Sequence, residues 1–444
     1  MRKITGAPVR LFALSLLTTL ASATGPVSAE PNQKPVEQVK REITGLLQKG
    51  GYEEACDLLD AVKQEEYDPQ LTFLRGQCRF GMLDYSSAAF QYQLMLDRNT
   101  NLPRVRTELA RTLAAMGKTK AAREEYARVL SGDIPPMVRR NIGTQLQAID
   151  EHRRFGGVFS LGFMYDSNVN AAPAGPNIQA FGLPFVLDSD STERSDNALV
   201  GSVSFGKYFD GPIGDEWRYD VYGNFLEYTS EHEFDSYSTG LSMGPNFYSN
   251  VQIYLPLGIS TSWEDGQRAT QSVSFAPSLS GAFSHRLRAS SQLSFQYYDD
   301  LRSGDEANGW AKGISGNLQY TIDRRNMVEA GVSLLENDAN ELYYNRFSSK
   351  TISAGWHSAF NNGVRVSFQP SYTKLDYVSA DPVDAGVVRN DDRYSLILNI
   401  YKDVTIGSTS VTPVLSFNWT KNESNIERRD YERKQISLQI RKQF

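Results

Sequence analysis

The residues able to do chemistry are sparse in this chain and do not converge. In 444 residues there are four histidines, His152, His232, His285 and His357, and two cysteines, Cys56 and Cys78. No histidine has a serine and an aspartate at the spacing of a nucleophilic triad, and no nucleophile-elbow motif occurs. The pair Asp299-Asp300, with Asp305-Glu306 in the same predicted loop, has the charge to attract a cation. The run lacks the spacing of a calcium loop, and Arg302 between the two acidic pairs opposes a bound cation. The cysteine spacing matches no zinc pattern. The two thiols fall on neighbouring predicted helices, where they either pair in an oxidising compartment or stay as buried thiols. These residues make no case for an enzyme, a metal or a cofactor, so function must rest on the architecture.

The N-terminus carries Arg2, Lys3 and Arg10, then an apolar run from Leu11 to Leu20, then Val27-Ser28-Ala29 before Glu30. That is the pattern of a secretory signal peptide over residues 1–29, and the apolar run is short for a membrane-spanning helix. No cysteine near the cleavage site marks the chain itself as a lipoprotein. Without those residues the net charge goes from −6 to −9, which argues against a nucleic-acid partner. No later apolar run is long enough to cross a bilayer as a helix, so a membrane-spanning mature chain must be a closed barrel.

Residues 37–150 have helical periodicity and repeat themselves. Tyr52, Tyr85 and Thr119 align at steps of 33 and 34 residues, as do Ala55, Ala88 and Ala122. This is the tetratricopeptide period, seen about three times over. Gly50 and Gly117 fall where a first helix turns into a second, and Gly76 takes the small position of a first helix. Tyr92 and Tyr126 take the aromatic position of a second helix; Pro69 and Pro135 follow the second helices. Such a solenoid has a concave face suited to polypeptides. Arg75, Arg79, Tyr85, Arg106 and Arg111 are the candidates for that face.

From residue 155 the texture changes to period-two alternation, as in Phe159, Leu161, Phe163 and Tyr165. Fourteen segments follow, at 157–166, 197–208, 216–228, 236–247, 251–263, 272–283, 287–298, 310–321, 326–336, 347–358, 364–377, 392–402, 410–420 and 433–444. Their lengths and even number suit a transmembrane β-barrel. Short turns such as Asp210-Gly211-Pro212, Tyr248-Ser249-Asn250 and Asn361-Asn362-Gly363 alternate with longer connections such as 167–196, 378–391 and 421–432. Outer-membrane barrels keep short turns in the periplasm and long loops outside, which places both ends of the strand series, and the helical domain, in the periplasm. Trp217, Trp263, Trp310 and Trp419 at or near segment ends, and Trp356 close to one, fit aromatic girdles. A soluble β-sandwich also alternates, but does not account for the ordered loop lengths. The fold expected is an all-α tetratricopeptide-like solenoid at 30–154 followed by a 14-stranded antiparallel barrel at 155–444.

The segment Tyr165-Asp166-Ser167-Asn168-Val169-Asn170 at the end of the first strand, directly after the repeats, resembles the start of the barrel in the surface lipoprotein assembly modifier family. Phe444, a terminal aromatic on an alternating last strand, resembles the signal read by the barrel-assembly machinery, with Lys442 interrupting the apolar face. The resemblance covers nearly the whole mature chain. It implies an outer-membrane translocator that helps export cargo proteins, either surface lipoproteins or secreted proteins, with the repeats engaging cargo or accessory factors. The partners expected are outer-membrane lipid, a cargo protein and the assembly machinery, and the chain is expected to be a monomer. A polysaccharide-export porin and a passive channel with a docking domain are the rival classes; only about three repeats are recognisable, fewer than the longer array expected of the former.

Overall fold

Among the described residues seven helices precede the strands: α1 (Val36–Lys49), α2 (Tyr52–Ala61), α3 (Pro69–Gly81), α4 (Tyr85–Arg98), α5 (Pro103–Ala115), α6 (Thr119–Leu130) and α7 (Pro136–His152). The structure is a computed structural model that describes residues 36–444 apart from 63–65, 153–154, 181–182, 303–306, 340–342 and 381–385. The predicted signal peptide and the pair Asp305-Glu306 lie outside the described residues.

The helices form three pairs and a terminal helix. Their alanines carry the pairing: Ala55, Ala88 and Ala122 are fully buried, so neighbouring backbones approach closely. Tyr92 and Tyr126 are buried beside them. A side-chain carbon at Gly76 would stand 2.5 Å from the Tyr92 ring, which is why that position is small. Asp68 caps α3 by accepting from the N–H groups of Gln70 (2.8 Å) and Leu71 (3.1 Å). Pro69 and Pro135, expected at the ends of second helices, prepare the next ones: Pro69 opens α3, and Pro135 directly precedes α7. Cys56 and Cys78 are joined as a disulfide between α2 and α3, with Cα atoms 5.6 Å apart, inside a cluster of Ile43, Leu59, Leu71 and Leu74.

Among the described residues fourteen strands close into an antiparallel barrel. They are β1 (Gly156–Asp166), β2 (Asp196–Phe209), β3 (Glu216–Tyr228), β4 (Ser236–Tyr248), β5 (Val251–Tyr254 and Leu257–Glu264), β6 (Gln267–Phe275 and Ser278–Ala282) and β7 (Leu287–Asp300). They continue as β8 (Gly309–Thr321), β9 (Asn326–Ala339), β10 (Phe347–Ala359), β11 (Val364–Ala380), β12 (Val388–Lys402), β13 (Thr409–Ser424) and β14 (Tyr431–Gln443). Closure comes from β1 pairing with β14, from Val158↔Gln443 to Asp166↔Gln435. Phe444 extends this pairing by exchanging backbone hydrogen bonds with Gly157 at 2.9 and 3.0 Å.

Alternation sorts the two faces. Phe159, Leu161, Phe163 and Tyr165 face outward and are exposed, whereas Ser160, Met164 and Asp166 face inward and are buried. An apolar exterior around a polar interior is the arrangement of a barrel seated in lipid. One connection differs from expectation. The interval between the fifth and sixth strands, read as a loop up to residue 271, is a two-residue turn, and β6 begins at Gln267. Asp265 and Gly266 both have positive φ (50° and 67°), as a tight hairpin turn requires, so the strands run on to meet there.

Candidate functional site

The helices dock on one end of the barrel, here the near mouth, through the turns between helices. Asp84 caps α4, accepting from the Ser87 N–H at 3.2 Å, and the same oxygen accepts from the Asn250 amide at 2.8 Å. Asn250, in the turn between β4 and β5, accepts in return from the Ser86 N–H at 2.9 Å. Burial pushes the Asp84 carboxyl up, but the hydrogen bonds from Ser87 and Asn250 outweigh it and hold it below the usual carboxylate range. The His285 Nε2–H, in the turn between β6 and β7, donates to the Gly81 carbonyl at 2.9 Å. Gly117 turns α5 into α6 with φ +86°, and the Tyr248 ring lies where its side chain would be. Tyr248 then donates to Glu216 at 2.8 Å, and Lys118 lies 3.6 Å from Asp215.

Between the docked helices and the barrel wall is a vestibule of about 720 Å³. Phe80, Tyr85, Arg111, Met116 and Ile149 line its helical side; Gln252, Ser280, Arg288 and Gln319 line its barrel side. A second groove of about 310 Å³ lies within the repeats, between α1, α3 and α5, lined by Leu47, Gln77, Phe80, Arg104 and Arg111. Phe80 and Arg111 line both, so the groove and the vestibule adjoin at these two side chains. The arginines are stacked rather than free-swinging: Arg104 lies 4.8 Å over Phe73 and Arg111 lies 4.2 Å over Phe80.

Of the five candidates for the concave face, Arg111 lines the groove and the vestibule, and Tyr85 lines the vestibule. Arg75 instead donates to the Leu59 carbonyl at 3.2 Å, Arg79 pairs with Asp60 at 2.8 Å, and Arg106 pairs with Glu125 at 2.6 Å. Those three arginines tie helices together. Leu47, Gln77, Phe80 and Arg104 were missed because an apolar or long side chain at helical spacing reads equally well as core.

Beyond the vestibule the lumen has two kinds of wall. On β5 to β11 hydroxyl pairs recur: Ser260 meets Ser272 at 2.7 Å, Ser262 meets Thr270 at 2.8 Å, and Thr351 meets Thr373 at 2.8 Å. Near the closure of the barrel the inward groups are charged and paired, as in Arg218–Asp220 and Arg389–Asp391, both at 2.6 Å.

The segment Tyr165–Asn170 sits at the far mouth, on that closure. Tyr165 faces outward. Asp166 is fully buried and accepts from Arg433 Nε (3.0 Å), Gln435 (2.7 Å), Tyr228 (3.0 Å) and the Asn168 N–H (3.1 Å), joining β1, β3 and β14. Ser167 accepts from the Lys434 N–H at 2.9 Å. Asn168, also fully buried, donates to the carbonyls of Ala172 (2.8 Å) and Glu432 (3.0 Å). Val169 packs with Met164, Ala198, Val200 and Tyr228, and Asn170 donates to the Thr192 carbonyl at 2.7 Å. The segment thus fastens the described ends of the long first loop to each other and to β14. Among the described residues no three histidine, cysteine or acidic side chains group to hold a metal ion.

Helical repeats of tetratricopeptide type docked on a closed fourteen-stranded barrel with an apolar exterior define an outer-membrane β-barrel protein with an appended repeat domain. The chain belongs to the surface lipoprotein assembly modifier family, whose pattern it matches over residues 156–444. It is 21% identical over 379 residues to the surface lipoprotein assembly modifier of Pasteurella multocida, covering 80% of this chain and 72% of that one. It is 20% identical to surface lipoprotein assembly modifier 1 of Haemophilus influenzae, covering 81% of this chain and 74% of that one. Among solved structures, the Yersinia enterocolitica type III secretion chaperone SycD in complex with a peptide of the translocator YopD matches 27% of this chain and 95% of its own, at 22% identity and a TM-score of 0.25.

Proposed function

We propose that this protein carries lipoprotein cargo across the outer membrane to the cell surface, with its repeats standing in the periplasm and receiving the cargo at the barrel mouth. The observation that carries this reading is the sharing of Phe80 and Arg111 between the repeat groove and the vestibule. A segment held in the groove lies beside the lumen without leaving the protein. Family membership supports the lipoprotein, and the hydroxyl wall suits a chain that must pass without being trapped by charge. Under this reading residues 1–29 are removed on export, 30–154 form the periplasmic domain and 155–444 the barrel. Phe444, paired with β1, is the assembly signal, and the protein works as a monomer.

The test is surface display in a heterologous host. The chain is expressed with the lipoprotein encoded beside it, and intact cells are probed with antibody to that lipoprotein. Exposure is expected to depend on this chain and to fall at least tenfold with Arg111→Glu and Phe80→Asp together. Normal exposure with that variant removes the groove from the pathway. No exposure with a correctly folded barrel and its partner lipoprotein favours a polysaccharide exporter or a passive channel.

A further inference from the structure

A line of half-made backbone pairs crosses the barrel wall above the dock. A hydrogen-bonded pair in an antiparallel ladder exchanges two N–H···O bonds, and proline can supply neither N–H nor a substitute for it. Leu255 donates to the Pro245 carbonyl at 3.1 Å, Ala276 to Pro256 at 3.2 Å and Leu293 to Pro277 at 2.9 Å. None of these bonds can be returned. Prolines are normally kept out of central strands for this reason.

The register places all three on two adjacent rows. Asn246, Tyr254, Ser278 and Gln292 form a continuous row across β4 to β7, and so do Met243, Leu257, Phe275 and Phe295. Between these rows lie two more: Pro245, Leu255, Pro277 and Leu293, then Gly244, Pro256, Ala276 and Ser294. Both β5 and β6 are interrupted there, with no shift of register. Gly244 completes the crease, because a side-chain carbon on it would collide with the Leu255 carbonyl and Pro256. Elsewhere in the wall Pro370 and Pro413 stand singly within unbroken strands.

Below the crease the wall is held by the helices. The turn at Asn250 bonds Asp84 and Ser86, and the turn at His285 bonds Gly81. Gln252 and Ser280, on the lower segments, line the vestibule. We infer that the lower segments of β4, β5 and β6 form a flap that hinges on Pro245, Pro256 and Pro277, and that the repeats, gripping it by its turns, set the width of the vestibule. Its assignment to cargo entry rests on the function proposed above; the hinge itself does not.

Hydrogen exchange on the full chain in lipid vesicles tests the hinge without cargo. Amides of Val251–Tyr254 and Ser278–Ala282 are expected to exchange at least tenfold faster than those at the same height on β8 and β9, residues 317–321 and 326–330. Equal exchange overturns the hinge. The variant with Pro245→Val, Pro256→Val and Pro277→Val restores the missing donors. It is expected to slow exchange to the rate of β8 and β9, and to lower lipoprotein exposure at least fivefold while the barrel keeps its heat-modifiable migration. Should the triple variant not fold, Pro256→Val alone is read the same way, with a smaller effect. Slowed exchange with unchanged exposure overturns the role in entry. Fast exchange in a chain that displays no lipoprotein overturns the proposed function and leaves the hinge standing.

Discussion

The far end of the barrel closure and the near foot of β4 to β6 are opposite solutions to holding a wall together. At the closure, one buried carboxylate, Asp166, satisfies donors from β3 and β14, and Asn168 and Asn170 fasten the following loop. At the foot, three backbone pairs are each missing a bond and the strands are steadied by the helices docked beneath them. The lesson is that stiffness is distributed. The end where first and last strands must find each other is tied by charge and side-chain amides, and the end beside the repeats is left compliant.

The largest expected effect comes from untying the closure. Asp166→Ala leaves Arg433 inside the wall with no counter-charge, and removing one partner of a buried pair typically costs about 3–5 kcal/mol. Denaturant unfolding from lipid vesicles should show a loss on that scale; a loss under about 1 kcal/mol removes the contrast with the foot. Asn168→Ala is expected to cost less, about 1–3 kcal/mol, because it strands buried backbone groups of Ala172 and Glu432 without leaving a charge. Its signature is protease nicking within 167–195 on intact cells, and continued resistance there counts against the anchoring role.

The smallest effect is at the dock. The lowered Asp84 carboxyl gains its partners as the ionised form, so its contribution is complete above the unfolded carboxylate pKa of about 4 and is lost as pH falls through the folded value. Energy transfer between labels on the repeats and on the barrel should therefore be constant from neutral pH down to about 5 and fall under stronger acid. Asn250→Ala should weaken the dock by about 1 kcal/mol at neutral pH and shrink the acid step. An undiminished acid step in Asn250→Ala would place the titrating group elsewhere.

Much of the architecture is local in its causes and was legible from residue spacing. The alanine and tyrosine positions of the repeats recur at 33 and 34 residues because each helical pair must present the same small and aromatic groups to the next. The strands show because inward and outward residues alternate along each one. The turn at Asp265-Gly266 was equally local, but the Ser- and Thr-rich β6 beside it alternates too weakly in polarity to mark its start.

The site was less legible because its partners are distant in the chain. Asp166 meets Arg433 across 267 residues, and Asn250 meets Asp84 across 166. Arg79 and Arg106 have the composition of a binding face, yet pairing with Asp60 and Glu125 turns them into braces. Sequence alone determined the two architectures, their order and the positions of Pro245, Pro256 and Pro277. Only the tertiary structure decided that those prolines stand on adjacent rows, that the repeats grip the flap beneath them and that Phe80 faces both groove and vestibule. The physical reason is that periodicity is written within one element, whereas register and docking are set by which elements close on each other.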